Sequence, residues 1–116
     1  MKREHNGWPA EQSITIDNDI TLCTAIHVYG FRRGSIKMPA STMIGVLTLY
    51  GSHDGTNFGP CTDAAGNAET IVIGDASTIQ LCSLPDEIKN FPMIKLVATA
   101  TGTGTAQETA TVWLTS

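Results

Sequence analysis

The chain has 116 residues, of which 41% are hydrophobic and 16% charged, so it is large enough for one domain with a packed core. Its formal net charge is -4 with only seven Lys and Arg residues, which excludes a surface able to neutralise a nucleic-acid backbone. No apolar run approaches the ~20 residues of a membrane span. We therefore expect neither nucleic acid nor a membrane as a partner.

The first twelve residues are polar and irregular, apart from Trp8-Pro9, and they contain no apolar signal core. We expect residues 1–12 to form a flexible N-terminal arm and residues 13–116 to form a single domain. The missing signal sequence predicts synthesis in a cytoplasm, where thiols stay reduced.

From Ser13 onward, short runs alternate apolar with polar residues and end at Gly, Pro, Asn or Asp. A period of two places every second side chain on one face of a β-strand. One run, from Ile20 through Val28, is predicted as a strand with His27 on its solvent face. The side chains predicted to form the core are Ile14, Ile16, Ile36, Leu47, Leu49, Ile71, Ile79, Leu81, Ile94, Leu96, Val112 and Leu114.

About eight short strands, with turn signals every ten residues or so, predict an all-β fold: an antiparallel, jelly-roll-like β-sandwich. Sixteen Thr and 11 Gly agree with this, because Thr suits strands and Gly suits turns. Asp54-Gly55 and the stretch 61–67 are predicted as hairpin turns, and 99–105 as a flexible linker. One short helical turn is predicted within 83–90, where it would cap an open end of the sandwich.

Three cysteines, at positions 23, 61 and 82, form an odd set without a Cys-x-x-Cys pair. This argues against a disulfide framework and against a zinc knuckle. We expect three small thiols, buried or half-buried, in a reducing compartment.

No pattern in the sequence indicates catalysis. The three histidines are widely separated, no Gly-x-Ser-x-Gly elbow is present, and Gly102-Thr103-Gly104 lacks the Lys of a phosphate loop. Asp54, Asn57 and Asp63 carry the oxygen atoms that calcium prefers, but their spacing does not match an EF-hand. We expect no enzyme activity, no cofactor and no metal.

The stretch LTLYGSHDGTNFGP (residues 47–60) is followed by DAAGN (63–67), LPDE (84–87) and IKL (94–96). A strand ending in Ser-x-Asp-Gly-x-x-Phe, followed by these turns, resembles small β-sandwich virion proteins of tailed bacteriophages, either capsid decoration proteins or head-fibre-like proteins. The resemblance covers roughly residues 33–114. A similar hairpin occurs as a structural turn in discoidin-like and carbohydrate-binding sandwiches.

The resemblance implies a structural virion protein that is made in the host cytoplasm, binds the major capsid protein on the capsid exterior and stabilises the shell. A homo-oligomer is also expected. The alternative is a non-catalytic glycan-binding module, with Tyr29 and Phe31 as an exposed aromatic platform. The candidate partner-binding residues are Trp8, Tyr29, Phe31, Arg32 and Arg33.

Overall fold

The computed structural model describes residues 4–5, 8–40, 45–73, 78–99 and 107–116, and the structural statements below concern these residues. In chain order they form β1 (Glu4–His5), β2 (Trp8–Pro9), β3 (Glu11–Ile16), a first 3-10 helix (Ile20–Leu22), β4 (Ile26–His27), β5 (Arg33–Met38), β6 (Val46–Ser52), β7 (Gly59–Pro60), β8 (Thr70–Val72), β9 (Gln80–Ser83), a second 3-10 helix (Asp86–Asn90), β10 (Met93–Thr99) and β11 (Glu108–Thr115).

Two antiparallel sheets carry the fold. One has the strand order β3-β11-β5-β9, and the other has the order β4-β10-β6, with both β7 and β8 paired to β6. Without β1, β2 and β7, eight strands remain, and they can be renumbered from 1 to 8 in chain order. The first sheet then has the order 1-8-3-6, and the second has the order 2-7-4-5. This is the order of a jelly roll, so the predicted all-β antiparallel sandwich is confirmed. In the described part of the chain, no helix is long and apolar enough to span a bilayer.

The core lies between the inner faces of the two sheets. Every predicted core residue except Ile79 and Leu81 is buried there. In β6, for example, Leu47 and Leu49 are fully buried, whereas Val46, Thr48 and Tyr50 alternate with them on the other face. The period-two pattern therefore identified the inner face of most strands.

The prediction for Ile79 and Leu81 is wrong, since 55% and 75% of these side chains are exposed. Strand β9 lies at the edge of its sheet, and Cys82 is the side chain that packs against the core there. A shift of one residue moves a whole set of side chains to the opposite face of a strand. The alternation had the right period in β9 but the opposite phase.

The run from Ile20 through Val28 is not one strand, contrary to the prediction. Asp19 caps the first 3-10 helix by accepting a hydrogen bond from the Thr21 N–H at 3.0 Å, and only Ile26–His27 forms a strand. Ser, Thr, Asn and Asp side chains compete with strand pairing through such local bonds. His27, predicted to face solvent, is half-buried.

The boundary predicted between the arm and the domain lies too far along the chain. Ala10 is fully buried and its carbonyl accepts a 2.7 Å hydrogen bond from the Leu114 N–H. Glu11 and Gln12 belong to β3, which pairs with β11. The sandwich therefore begins at Ala10. Before it, β1 and β2 form an antiparallel pair, while residues 1–3 and 6–7 lie outside the described residues, as does most of the predicted linker, 100–105.

The second 3-10 helix closes one end of the sandwich, as predicted. Leu84 and Ile88 are buried, and Phe91, which follows the helix, packs against the core. The Phe91 ring lies directly over Gly51 of β6, where an added Cβ would come within 2.8 Å of two ring atoms. The absence of a side chain at Gly51 is what lets the ring approach the sheet.

Replacing Gly51 with Ala should therefore destabilise the protein by about 1 to 3 kcal/mol, because the Phe91 ring must move out of its place over the sheet. The matched control is Gly59→Ala, since a Cβ on Gly59 meets no atom within 4 Å. Urea unfolding followed by circular dichroism gives both free energies. Equal stability of the two variants would contradict the close approach of Phe91.

Shortening one leucine in β6 and one in β9 to alanine tests which side chains of each strand face the core. Leu49→Ala should cost about 2 to 5 kcal/mol because it leaves a cavity in the core. Leu81→Ala should change stability by less than about 0.5 kcal/mol, as expected of an exposed side chain. A large loss of unfolding free energy in Leu81→Ala would show that β9 has its side chains in the opposite phase.

Candidate binding surface

The outward side of the four-stranded sheet presents side chains from all four of its strands. We call it the outer face. Its side chains alternate along each strand with those of the core. It comprises Glu11, Ser13 and Thr15 of β3; Thr109, Thr111, Trp113 and Thr115 of β11; Arg33, Ser35 and Lys37 of β5; and Leu81 and Ser83 of β9. Most of these residues are Thr or Ser, and only three carry charge.

Three large hydrophobic side chains lie on or beside this face. Trp113 is 41% exposed and lies across from Glu11 on one side and Ser35 on the other. Leu81 lies across from Lys37, and Ile79, 55% exposed, precedes β9 in phase with Leu81. The small residues around Trp113 leave its ring accessible. Exposed Trp rings are the side chains that most often anchor protein–protein contacts.

The predicted partner-binding residues do not form one cluster. Tyr29 is 58% exposed and Arg32 is exposed, and both lie around a turn in which the Phe31 N–H bonds the Val28 carbonyl at 2.9 Å. Phe31 itself is buried in the core, so the predicted platform of Tyr29 and Phe31 is wrong. The turn directs the Phe31 ring inward while Tyr29 stays outside.

Arg33 is the predicted residue that the structure places on the outer face, across from Thr115 at one end of β11. Trp8 lies in β2 by its backbone, but its side chain lies outside the described residues.

The loop after β6 is a structural turn, as its sequence predicts. The Asp54 Oδ1 atom accepts hydrogen bonds from the Thr56 and Asn57 backbone N–H groups, both at 2.8 Å, and from the Ser52 hydroxyl at 3.0 Å. These bonds hold the pKa of Asp54 far below its ordinary value, and the bond from the Asn57 N–H has the largest effect. Gly55 has a φ of 80°, a conformation that favours glycine, so the predicted turn at Asp54-Gly55 is confirmed.

A shallow depression of about 230 Å³ lies beside this loop. The His53 and Phe91 rings stack along it with centroids 5.4 Å apart. Asp54 and Asn57 also line it, but the second Asp54 carboxylate oxygen already accepts a 2.9 Å bond from the Asn57 side chain. The volume falls below the roughly 300–1,000 Å³ of typical ligand pockets, and the Asp54 carboxylate is occupied by the loop.

The second predicted hairpin, around Asp63, is confirmed. The Asp63 N–H bonds the Asn67 carbonyl at 2.9 Å, and Gly66 has a φ of 88°. The Asp63 carboxylate accepts the Ala65 and Asn67 N–H groups, so its pKa is lowered, chiefly by Asn67. Asp54 and Asp63 thus each serve their own turn. Among the described residues, no three His, Cys, Asp or Glu side chains come together in a way that could hold a metal ion.

An acidic pair connects this hairpin to the second 3-10 helix. Desolvation, followed by the charges of Glu87 and Asp63 and a hydrogen bond with Glu87, raises the pKa of Glu69. Burial of Cys61, followed by the charges of Glu87 and Glu69, raises the pKa of the nearby Cys61 thiol to about 11. The repulsion between Glu69 and Glu87 therefore opposes the packing of the helix against the hairpin at neutral pH.

All three cysteines are free. Cys23 and Cys61 are buried and Cys82 is half-buried, which confirms the predicted burial of the thiols. The Cys23 Sγ donates a 3.2 Å hydrogen bond to the Asp17 carbonyl, and desolvation raises its pKa. Cys23 and Cys61 therefore remain protonated at neutral pH, the form that is a poor nucleophile.

Comparison of the chain with family models, with curated proteins and with solved structures found no match in any of the three. The chain's own residues therefore have to carry any functional argument.

Trp113 is the surface residue that sequence reasoning missed. Val112 and Leu114 were both predicted to be in the core, so the same alternation already directs Trp113 to the other face of β11. The sequence thus held the signal for Trp113. It held none for the phase of β9, because both alternating sets of that strand contain apolar residues.

The repulsion between Glu69 and Glu87 predicts how the stability of the protein depends on pH. Because the pKa of Glu69 is raised in the folded state, its protonation favours folding, and that contribution is lost as the pH rises through the folded pKa. Glu69→Gln, which stays neutral, should raise the melting temperature at about pH 7 and leave it unchanged at about pH 3.5.

Glu87→Gln tests the assignment of the partner. It should reproduce the gain at neutral pH, and the double variant should gain less than the sum of the two, because either change removes the same repulsion. Strictly additive melting shifts would show that the two carboxyl groups do not interact.

Proposed function

We propose that this chain is a structural, non-enzymatic protein that binds a flat protein surface through the outer face of its four-stranded sheet. The observation that carries this proposal is the exposed Trp113 ring, set among Thr and Ser side chains on a face with only three charges. Such a face has few charged groups to strip of water, so it can be buried at low desolvation cost.

The more specific proposal is a capsid decoration protein, which binds the major capsid protein on the outside of the shell and stabilises it. The resemblance of residues 33–114 to small virion proteins supports it. Jelly-roll sandwiches occur in viral capsid proteins and also in lectins, so the fold by analogy allows both the decoration and the glycan proposals. The scarcity of charge on the outer face suits burial against a protein, and this favours decoration.

One observation and one general argument also support assembly on a particle that is made in a host cytoplasm. The three thiols are free, as expected in a reducing compartment. Repetition of the capsid lattice would hold many copies through effective concentration, even if each contact is weak. The arm, now limited to the residues before Ala10, is proposed to reach a neighbouring subunit with Trp8 as its anchor.

Deletion of residues 1–12 would remove Ala10 from the core and shorten β3, so it would disturb the sandwich as well as the arm. Deletion of residues 1–9 leaves both in place. In this proposal it weakens shell binding without unfolding the sandwich.

The central experiment uses shells purified by density gradient from the cells in which the chain is naturally made. The protein should sediment with them at a fixed ratio to the major shell protein. When protein is added back to stripped shells, Trp113→Thr should weaken binding about tenfold or more, as loss of an interface anchor does.

Val72→Thr is the matched control, because Val72 is 67% exposed on a strand of the other sheet. It should bind like the parent. No binding of the parent protein to shells would refute the decoration proposal, and full occupancy by Trp113→Thr would exclude the outer face as the contact.

The glycan-binding alternative now depends on the depression beside His53 and Phe91, since the platform of Tyr29 and Phe31 does not exist. Aromatic rings beside polar groups are a recurrent feature of sugar sites. A glycan array would test it: binding of one sugar class that is lost in His53→Ala would put this alternative ahead of decoration.

A further inference from the structure

Strand β9 forms one edge of the four-stranded sheet, and within the described residues it pairs with β5 alone. The Leu84 N–H donates to the Gly34 carbonyl at 2.9 Å. This bond shows which residues of β9 direct their backbone groups toward β5. In an antiparallel pair, every second residue directs its backbone N–H and C=O toward the partner strand. Cys82 and Gln80 therefore face β5, whereas the backbone groups of Leu81 and Ser83 point away from the sheet.

The β9 segment itself has none of the sequence features that protect an edge strand from pairing. Residues 78–83 contain no charged residue and no proline. Leu81 is 75% exposed and Ile79 is 55% exposed. Natural edge strands are commonly blunted by charge, by proline or by a covering segment, because their free backbone groups are a template for another strand.

The opposite edge of the same sheet is partly covered by the chain itself. The Gln12 side chain donates to the His27 carbonyl at 2.9 Å and accepts from the His27 N–H at 3.2 Å. The Thr15 carbonyl accepts the Thr24 N–H at 3.0 Å, and the Thr15 N–H bonds the Thr24 hydroxyl at 2.8 Å. Among the described residues, β9 has no comparable contact along its outward side.

We propose that β9 pairs antiparallel with β9 of a second copy of this chain, joining two four-stranded sheets into one of eight strands. An antiparallel pair of identical strands is its own complement around a two-fold axis, so the same row of outward groups bonds itself. The absence of charge in residues 78–83 removes the repulsion that would otherwise oppose the meeting of two identical strands.

The register follows from the outward groups. With Leu81 on the two-fold axis, Leu81 pairs with Leu81 of the second copy, and Ser83 pairs with Ile79. The exposed Leu81 and Ile79 side chains then pack across the axis on the outer face. This register uses all five residues from Ile79 to Ser83, whereas an axis at Cys82 sets Ile79 opposite Pro85, which has no N–H to donate.

The inference deepens the proposed function, on which its biological purpose rests: two outer faces side by side would present one continuous surface to a shell. The dimer itself requires only the purified chain, so its failure can be told apart from a failure to bind shells. A five-residue edge contact is smaller than a standard interface, so we expect a dissociation constant on the order of 10–100 µM.

Analytical ultracentrifugation between about 5 and 500 µM should show the shift from monomer to dimer that this affinity implies. Leu81→Lys places two like charges on the axis and should leave only monomer. Val72→Lys, with an equally exposed aliphatic side chain on the other sheet, is the matched control and should dimerise like the parent. A parent that stays monomeric throughout, or a Leu81→Lys variant that still dimerises, would overturn the proposal.

A covalent trap tests the register. In the Cys82→Ser background, Leu81→Cys places two thiols on the axis, where paired Cα atoms lie about 5.5 Å apart, within the span of a disulfide. Oxidation by air with copper–phenanthroline should yield a covalent dimer, whereas Val72→Cys in the same background should remain largely monomeric. Equal cross-linking of the two variants would refute pairing at Leu81.

Discussion

The fold depends on the packing of two inner sheet faces made almost entirely of aliphatic side chains. Leu47, Leu49 and Leu96 on one sheet and Ile36 and Val112 on the other are all buried. Burial of such side chains contributes roughly 1.5–3 kcal/mol each relative to exposure. Because each strand alternates, the same constraint that fills the core also decides which residues remain for the outside, and hence the composition of any binding surface.

Polar side chains then decide where the sandwich is closed and where it stays open. The Gln12 side chain takes the place of a backbone partner for His27 and joins the two sheets along one edge. Nearby, the buried Asp17 carboxylate accepts the Asp19 N–H and the Gln107 side chain, at 2.8 and 2.9 Å. Buried polar groups are tolerated when they are paired in this way. The far edge, at β9, has no such closure among the described residues.

The charged residues that would be the first candidates for a reactive or metal-binding site stabilise the fold instead. Asp54 and Asp63 hold their own turns, and the Lys95 ammonium group donates to the Ile20 carbonyl at 3.0 Å while lying 4.8 Å from the Phe58 ring centroid. With these charged groups occupied, a binding partner would have to recognise the shape of the surface and its exposed apolar side chains. Trp113 on the outer face and Leu81 at an open edge are therefore the features on which the functional proposals rest.

The sequence by itself determined the period of each strand, the turns at Gly55 and Asp63 and the burial of most of the core, because these depend on neighbours in the chain. It did not determine the phase of β9, where both alternating sets include apolar residues, or the inward turn of the Phe31 ring. Those depend on which strand lies alongside and on where a turn directs the chain. The open edge at β9 was likewise decided only by the tertiary structure, since an edge is defined by the strand that is absent beside it.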